Sequence, residues 1–228
     1  MAFSLERFAA VRPYLYHLTA TTNIRRLRSD RFLESAERLL NRGGQLDRSN
    51  QPRGGHHTIE IGGEAISIRD QAPLYEGNID FEAGWTFPQF IALLNQLVFF
   101  WPGTAAGPID YGLRHHDRYK AERPAVIRVR TQSLFRSNAL NPPLFCRYNS
   151  GSPRCSGGDR SPRGSATFQT ASDNGYPPGK VVEVTFVGTA CLPDDTELRG
   201  ENWAEWGPFF APPGPAPELD AAPDGGDS

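Results

Sequence analysis

Short runs of alternating apolar and polar residues recur along the chain, each closed by turn residues, and they restrict the folds open to it. The clearest pair is TIEI and EAISI, at 58–61 and 64–68. These runs flank Gly62-Gly63 and predict a hairpin with a two-residue turn. Further strands are predicted at 98–101 (VFFW), 125–131 (AVIRVRT), 144–148 (LFCRY) and 180–188 (KVVEVTFVG).

Helix signals are fewer and also short. Ser4 can cap a first helix that ends before Pro13, and a capping box begins a helix over 87–96. Two more helices are predicted over 22–29 and 35–42. The chain has neither GxGxxG nor GxxxxGK[ST], so a doubly wound nucleotide-binding fold is not supported. The pattern predicts an α+β fold with a split, strongly twisted, mixed or antiparallel sheet and short flanking helices.

Charge is unevenly distributed along the 228 residues. Six of the 26 acidic residues and none of the 24 basic residues lie beyond Arg199, which leaves 1–199 with a net charge of +4. Residues 211–228 hold five prolines and four acids, a composition that cannot offset its ordering entropy by burial. We therefore expect one domain over 1–210 and a disordered acidic tail over 211–228.

Cysteine and histidine spacing predicts no metal site. Cys146, Cys155 and Cys191 lack CxxC spacing, and the histidine pairs at 56–57 and 115–116 lack a third ligand at a recognised distance. No apolar run approaches the length of a membrane span, and MAFSLERF has no apolar signal-peptide core. We expect a cytoplasmic protein with no membrane partner.

Two polar residues stand in strand-like runs where packing does not require them. In KVVEVTF the alternation sets Val182, Val184 and Phe186 on one face and Glu183 and Thr185 on the other, which is either a solvated face or the wall of a cleft. His17 has two interpretations: a core or surface residue whose hydrogen bonds are satisfied within the protein, or part of a binding site. With Tyr16 and Thr19 it would offer a ring, an imidazole and a hydroxyl, a set that suits a ribose and a flat ring.

Arginines cluster in AVIRVRT and in the long loop SGSPRCSGGDRSPRG, which carries Arg154, Arg160 and Arg163. Such clusters either contact a phosphate backbone or form a solvated face.

Several segments resemble known families. YHLT followed by NIRRL, then VFFWPG, then VVEVTFVGTACLPDDT, resemble the DarT-type ADP-ribosyltransferases, which modify DNA bases using NAD. AISIRDQAPL, GWTFPQFIALLNQLVFFWPG and YNSGSP also resemble an uncharacterised bacterial domain family with RDQ, LN…VFFW and NSG motifs, over about 14–196.

The first resemblance implies an ADP-ribosyltransferase-like fold and an NAD-dependent enzyme that transfers ADP-ribose to DNA or RNA. Glu183 would be the catalytic residue that stabilises an oxocarbenium-like ribose, with NAD as co-substrate and no metal. Such an enzyme can act as a toxin, and the resemblance admits a cognate antitoxin or immunity protein as a partner. The implied nucleic-acid contacts are Arg154, Arg160 and Arg163, and the implied NAD contacts are Tyr16, His17, Thr19, Asn23, Arg69, Phe100 and Trp101.

Two other activities stay open. The chain has Pro102-Gly103 where DarT-type enzymes carry an arginine after the VFFW-like strand, and Arg69 or Arg163 would have to replace it. The same cleft would serve an NAD glycohydrolase with water as acceptor. A catalytically inactive module that binds a ligand or nucleic acid is the third alternative.

Overall fold

The computed structural model describes residues 3–72, 74–151, 155–156, 159–160, 162–199 and 205–210. The expected tail over 211–228 lies outside these residues. Within them, no helix has the length and apolar character that crossing a membrane requires.

Six α-helices occur in the described residues, and their starts follow local signals. Ser4 accepts a hydrogen bond from the Arg7 amide at 3.3 Å, and Thr86 forms the predicted capping box with Gln89. The helices are α1 (Leu5–Val11), α2 (Ile24–Asp30), α3 (Ala36–Arg42), α4 (Phe87–Asn95), α5 (Asp110–Tyr119) and α6 (Thr131–Ser137). Short 3-10 turns cover Thr21–Asn23, Leu46–Arg48, Glu76–Asn78, Lys120–Glu122 and Pro178–Lys180.

The strands are short, with one exception of eight residues. In chain order they are β1 (Tyr14–Thr19), β2 (Phe32–Glu34), β3 (His57–Ile61), β4 (Glu64–Ile68), β5 (Leu97–Thr104), β6 (Gly107–Pro108), β7 (Ala125–Arg130), β8 (Leu144–Cys146), β9 (Cys155–Ser156), β10 (Asp159–Arg160), β11 (Glu183–Val187), β12 (Thr189–Cys191), β13 (Glu197–Arg199) and β14 (Trp206–Pro208).

Eight of these strands form the main sheet, in the order β14-β13-β7-β1-β5-β11-β8, with β6 paired to the end of β5. Every strand pair in it is antiparallel. β3 and β4 form a separate hairpin, whose Gly62 and Gly63 both adopt positive φ, as the two-residue turn requires. The prediction of an α+β fold with an antiparallel sheet is confirmed.

The long strand β5 pairs with two different neighbours along its length. Its first half, Leu97–Phe100, lies opposite β11, and Trp101–Gly103 lies opposite Tyr16–Tyr14 of β1. The whole of β1 pairs on its other side with β7, whereas its pairing with β5 ends at Tyr16, so β1 and β5 diverge after Tyr16. This divergence splits the sheet on one side of β1.

Apolar side chains fix the helices to the sheet. Phe8 of α1 and Phe135 of α6 pack with Val129 and Phe186 of the sheet in the main core. A second cluster joins α4 to the start of β5, and a third joins α3 to the hairpin through Leu40. A fourth joins α5 to β1 and β7.

The sequence did not predict α5 or α6, and both omissions have a physical reason. α5 reads DYGLRHHDRY, which has too few apolar residues to show a helical stripe, and its buried positions are Gly112 and Tyr119. α6 begins at Thr131, directly after β7, so the alternating pattern of the strand hides its start.

We expect Gly103→Ala to lower the free energy of unfolding by about 1–3 kcal/mol, because an added Cβ overpacks the β1–β5–β6 junction. The new atom would lie 2.7 Å from the Pro108 Cα and 2.8 Å from the Tyr16 ring. Urea denaturation measures the difference. Gly207→Ala in β14 is the matched control, since its Cβ meets open space. Equal denaturation midpoints for the two variants would contradict the tight packing at Gly103.

Candidate functional site

A cleft of about 420 Å³ lies where β1 and β5 diverge, within the size range of small-molecule sites. Its lining includes His17–Thr19 of β1 and Leu97–Phe99 of β5. The hairpin strand β4 and helix α5 contribute further wall residues. The cleft is therefore a direct product of the split in the sheet.

The His17 side chain bridges the split. Its Nδ1 lies 2.8 Å from the Phe99 carbonyl oxygen, which replaces a backbone bond that the diverging strands cannot make. Burial lowers the pKa of His17 to about 4, so the imidazole is neutral at pH 7. A carbonyl only accepts hydrogen bonds, so Nδ1 carries the proton and Nε2 remains an acceptor.

Asn23 ties the hairpin to β1 beside this histidine. Its amide nitrogen donates to Thr19 Oγ1 at 3.0 Å and to the Ser67 carbonyl at 2.8 Å, and its oxygen accepts from the Ser67 amide at 2.9 Å. Because Thr19 Oγ1 accepts here, its own proton is available to a ligand.

Glu183, the first residue of β11, lines the same cleft and is only 3% exposed. The Ser150 backbone amide donates to both carboxylate oxygens at 3.2 Å. Burial raises the pKa of Glu183 to about 7, although hydrogen bonds from Ser150 and the nearby Arg163 cation oppose the rise. The carboxyl group therefore changes charge near neutral pH.

Arg69 brings to the cleft a guanidinium with two donors that make no hydrogen bond within the described residues. Its guanidinium stacks on the Tyr119 ring at 3.9 Å, and its Nη2 lies 3.7 Å from a Glu122 oxygen. Nε and Nη2 are both buried and make no hydrogen bond within the described residues. Buried donors of this kind favour an anionic ligand.

An aromatic wall lies beside Arg69. The His115 ring is 5.7 Å from that of Trp101 and 5.1 Å from that of Tyr119. Burial lowers the pKa of His115 to about 4, so this ring is also neutral at pH 7. Neutral aromatic faces of this kind suit a planar ring of a ligand.

The RDQ, LN…VFFW and NSG segments meet at this cleft. The Asn95 side-chain oxygen accepts from Arg53 Nη1 at 2.8 Å and from Gln71 Nε2 at 3.0 Å. Arg69–Gln71, Asn95 and Asn149–Gly151 all appear in the lining. Segments up to about 80 residues apart in the chain are thus brought to one place.

The charge of the lining favours anions. Burial lowers the pKa of Arg53 to about 10, which leaves it charged at pH 7. The described residues contain no cluster of three or more His, Cys, Asp or Glu side chains suited to a metal ion. The charged lining residues are five arginines (Arg26, Arg53, Arg69, Arg114, Arg118) and three carboxylates (Glu34, Asp70, Glu183).

Most residues predicted for the site lie in the cleft. Tyr16 does not line it: alternation along β1 turns its side chain away from His17, and its hydroxyl donates to the Thr104 carbonyl. Phe100 belongs to the main core, whereas its neighbours Phe99 and Trp101 line the cleft. The predicted residues that do line it are His17, Thr19, Asn23, Arg69, Trp101 and Glu183.

The predicted nucleic-acid contacts have a different outcome. Arg154 lies outside the described residues, as does the side chain of Arg160. Arg163 is fully buried, so it offers no surface to a phosphate backbone. Its guanidinium donates inward to backbone carbonyls, because the chain after the loop turns back into the core.

Sequence reasoning missed several lining residues, among them Phe99, Tyr119, Arg53 and Asn95. His115 was considered only as half of a metal pair. A usable signal was present on α5, where Tyr111, Arg114, His115 and Arg118 recur at helical spacing and all line the cleft.

We expect Glu183→Gln to become more stable than the wild type as pH rises. The pKa of Glu183 in the folded protein lies above the ordinary value of 4.5, so its protonation stabilises the folded state of the wild type. This contribution to the free energy of unfolding is fully present below pH 4.5 and is lost as pH rises through about 7. The difference in unfolding free energy between the variant and the wild type should grow by about 3 kcal/mol from pH 4.5 to 8.

Urea denaturation across this pH range measures the difference. Glu60→Gln, on the exposed side of β3, should follow the wild type. If the free energies of unfolding of Glu183→Gln and the wild type changed in parallel with pH, burial would not raise the pKa of this carboxyl group.

A model of a protein family of unknown function, DUF7002, matches residues 13–191. This range includes β1, β5, β11 and each of the three motifs in the cleft. No curated protein and no solved structure matches the chain.

Proposed function

The chain belongs to the DUF7002 family, whose function is unknown, and we propose that its cleft binds NAD and transfers ADP-ribose to a nucleic acid. One observation carries the proposal: the buried carboxylate of Glu183 lines the same cleft as His17 and the Arg69 guanidinium. On this proposal the fold is ADP-ribosyltransferase-like, and its split sheet forms the NAD cleft.

Arg69 provides the fit to a dinucleotide. Two phosphates would offer acceptors to its buried Nε and Nη2, which make no hydrogen bond within the described residues, and Arg114 and Arg118 line the same cleft. Trp101, His115 and Tyr119 offer aromatic faces to a planar base. His17 Nε2 and the Thr19 hydroxyl can accept from and donate to ribose hydroxyls.

Glu183 supplies the charge that the reaction needs. Breaking the bond between nicotinamide and ribose develops positive charge on the ribose. An ionised Glu183, held by the Ser150 amide, would stabilise that charge in a site shielded from water. The acceptor then forms the new bond to the ribose C1′, and Glu183 accepts the proton that the acceptor loses.

Support for a nucleic-acid acceptor comes from charge. Residues 1–199 carry a net +4, and Arg114 and Arg118 are exposed at the cleft. With water as acceptor the same residues would make an NAD glycohydrolase. A module that binds NAD without turnover remains the non-enzymatic alternative.

We expect purified protein to release nicotinamide from NAD and to label single-stranded DNA or RNA, and Glu183→Gln to abolish both. The variant keeps the shape of the side chain but removes the charge that stabilises the transition state. Nicotinamide release and labelled nucleic acid are measured together, and Glu60→Gln is the control with the same chemical change away from the cleft.

The outcomes separate the alternatives. Nicotinamide release without labelled nucleic acid would identify a glycohydrolase. NAD binding without release would identify a binding module. Wild-type turnover in Glu183→Gln would remove this residue from the mechanism.

We expect Arg69→Met to weaken NAD binding about tenfold or more, since it removes a charged hydrogen-bond donor from a desolvated phosphate site. Isothermal titration calorimetry with NAD measures the dissociation constant. Arg25→Met is the matched control because Arg25 is 88% exposed and does not line the cleft. Equal affinities of Arg69→Met and the wild type for NAD would show that Arg69 does not bind the phosphates.

A further inference from the structure

We propose that Arg163 is a positioning residue that holds the Glu183 carboxylate through the backbone of the Asn149–Gly151 turn. Its effect on turnover rests on the proposed function, whereas its effect on the carboxylate does not.

The backbone of Arg163 is fixed on both sides. Its amide donates to the Asp80 carbonyl at 2.8 Å, and its carbonyl accepts from the Glu82 amide at 2.9 Å. The next residue packs closely on the same segment, since a Cβ at Gly164 would lie 2.8 Å from the Glu82 Cβ. The base of the Arg163 side chain is therefore held in one position.

The side chain of Arg163 is held equally firmly. It is fully buried, and its guanidinium carbon lies 4.1 Å from the centre of the Tyr148 ring. The Tyr148 hydroxyl in turn donates to the Pro162 carbonyl at 3.1 Å. Nε donates to the Ser150 carbonyl and Nη2 to the Asn149 carbonyl, both at 3.3 Å.

A single peptide unit connects the guanidinium to Glu183. The carbonyl of Asn149, which accepts from Arg163, and the amide of Ser150, which donates to both Glu183 oxygens, belong to the same peptide group. A cation at the oxygen end polarises this group and strengthens the donor at the nitrogen end. The bond from Arg163 to the Ser150 carbonyl fixes the plane of the next peptide group.

Within the described part of the chain, few other charged or titratable groups surround the carboxylate. Cys146 of β8 lies opposite Glu183, and burial followed by the Glu183 charge raises the pKa of its thiol. Strand β5 brings phenylalanines to the neighbouring positions of β11. His17 and Arg69 line the same cleft. Arg163 is the cation that lowers the pKa of Glu183.

The test compares Arg163→Met and Arg163→Lys with Arg147→Met. Arg147 is exposed, stacks on Tyr176 at 4.6 Å and lies 5.9 Å from the Tyr148 ring, so its replacement removes an equal charge close by while the hydrogen bonds between Arg163 and the turn remain. Glutamate labelled with ¹³C at Cδ gives the pKa of Glu183 by NMR titration, and Glu183→Gln assigns its signal. Circular dichroism verifies that each variant is folded.

We expect Arg163→Met to raise the pKa of Glu183 by at least about half a pH unit. It should also lower kcat for nicotinamide release about tenfold or more, with KM for NAD within about twofold. Arg163→Lys should restore part of the wild-type Glu183 pKa and part of the wild-type kcat. Lysine keeps the charge, but its compact ammonium group lacks the planar set of donors of a guanidinium. Arg147→Met should match the wild type.

An unchanged Glu183 pKa in folded Arg163→Met overturns the proposal, whatever happens to kcat. If Arg163→Met does not fold, Arg163→Lys decides: a pKa above that of the wild type supports the role, and an identical pKa overturns it. A wild-type protein that releases no nicotinamide refutes the proposed function alone, because the titration still reports on Arg163.

Discussion

Strand β5 divides its backbone hydrogen bonds between two neighbours, β11 along its first half and β1 along its second. Any strand shared in this way leaves backbone groups without a ladder partner where the neighbours part, and buried groups of this kind are costly. His17 removes part of that cost by binding the Phe99 carbonyl. The Phe99 carbonyl is therefore paired even though β1 has left β5 at this point.

Two of the charged groups that line the cleft are buried. Glu183 and the Arg69 guanidinium are both largely withdrawn from water, and each has a pKa displaced by burial in the direction that disfavours its charge. Isolated buried charges reduce stability, so a fold that keeps them uses them for binding or chemistry. Their presence in one cleft is the strongest physical argument that it is functional.

Local chemistry made part of this structure predictable. Ser4, Thr86 and the Gly62-Gly63 turn act within a few residues of their own position, and each element they predict is present. Burial of Arg163 depends on residues 80–82 and on the turn at 149–151, which no short window contains. For Glu183, alternation gave the face of the strand but could not show that the NSG turn covers that face.

The β3–β4 hairpin forms one wall of the cleft but is a sheet of its own. Asn23 fastens it to β1 through two hydrogen bonds with Ser67. A displacement of this wall would break these side-chain bonds and disturb the packing of Leu40 on the hairpin, but it would break no ladder of the main sheet. This side of the cleft can therefore shift while the pairing of β11 with β5 and β8, which holds Glu183, stays intact.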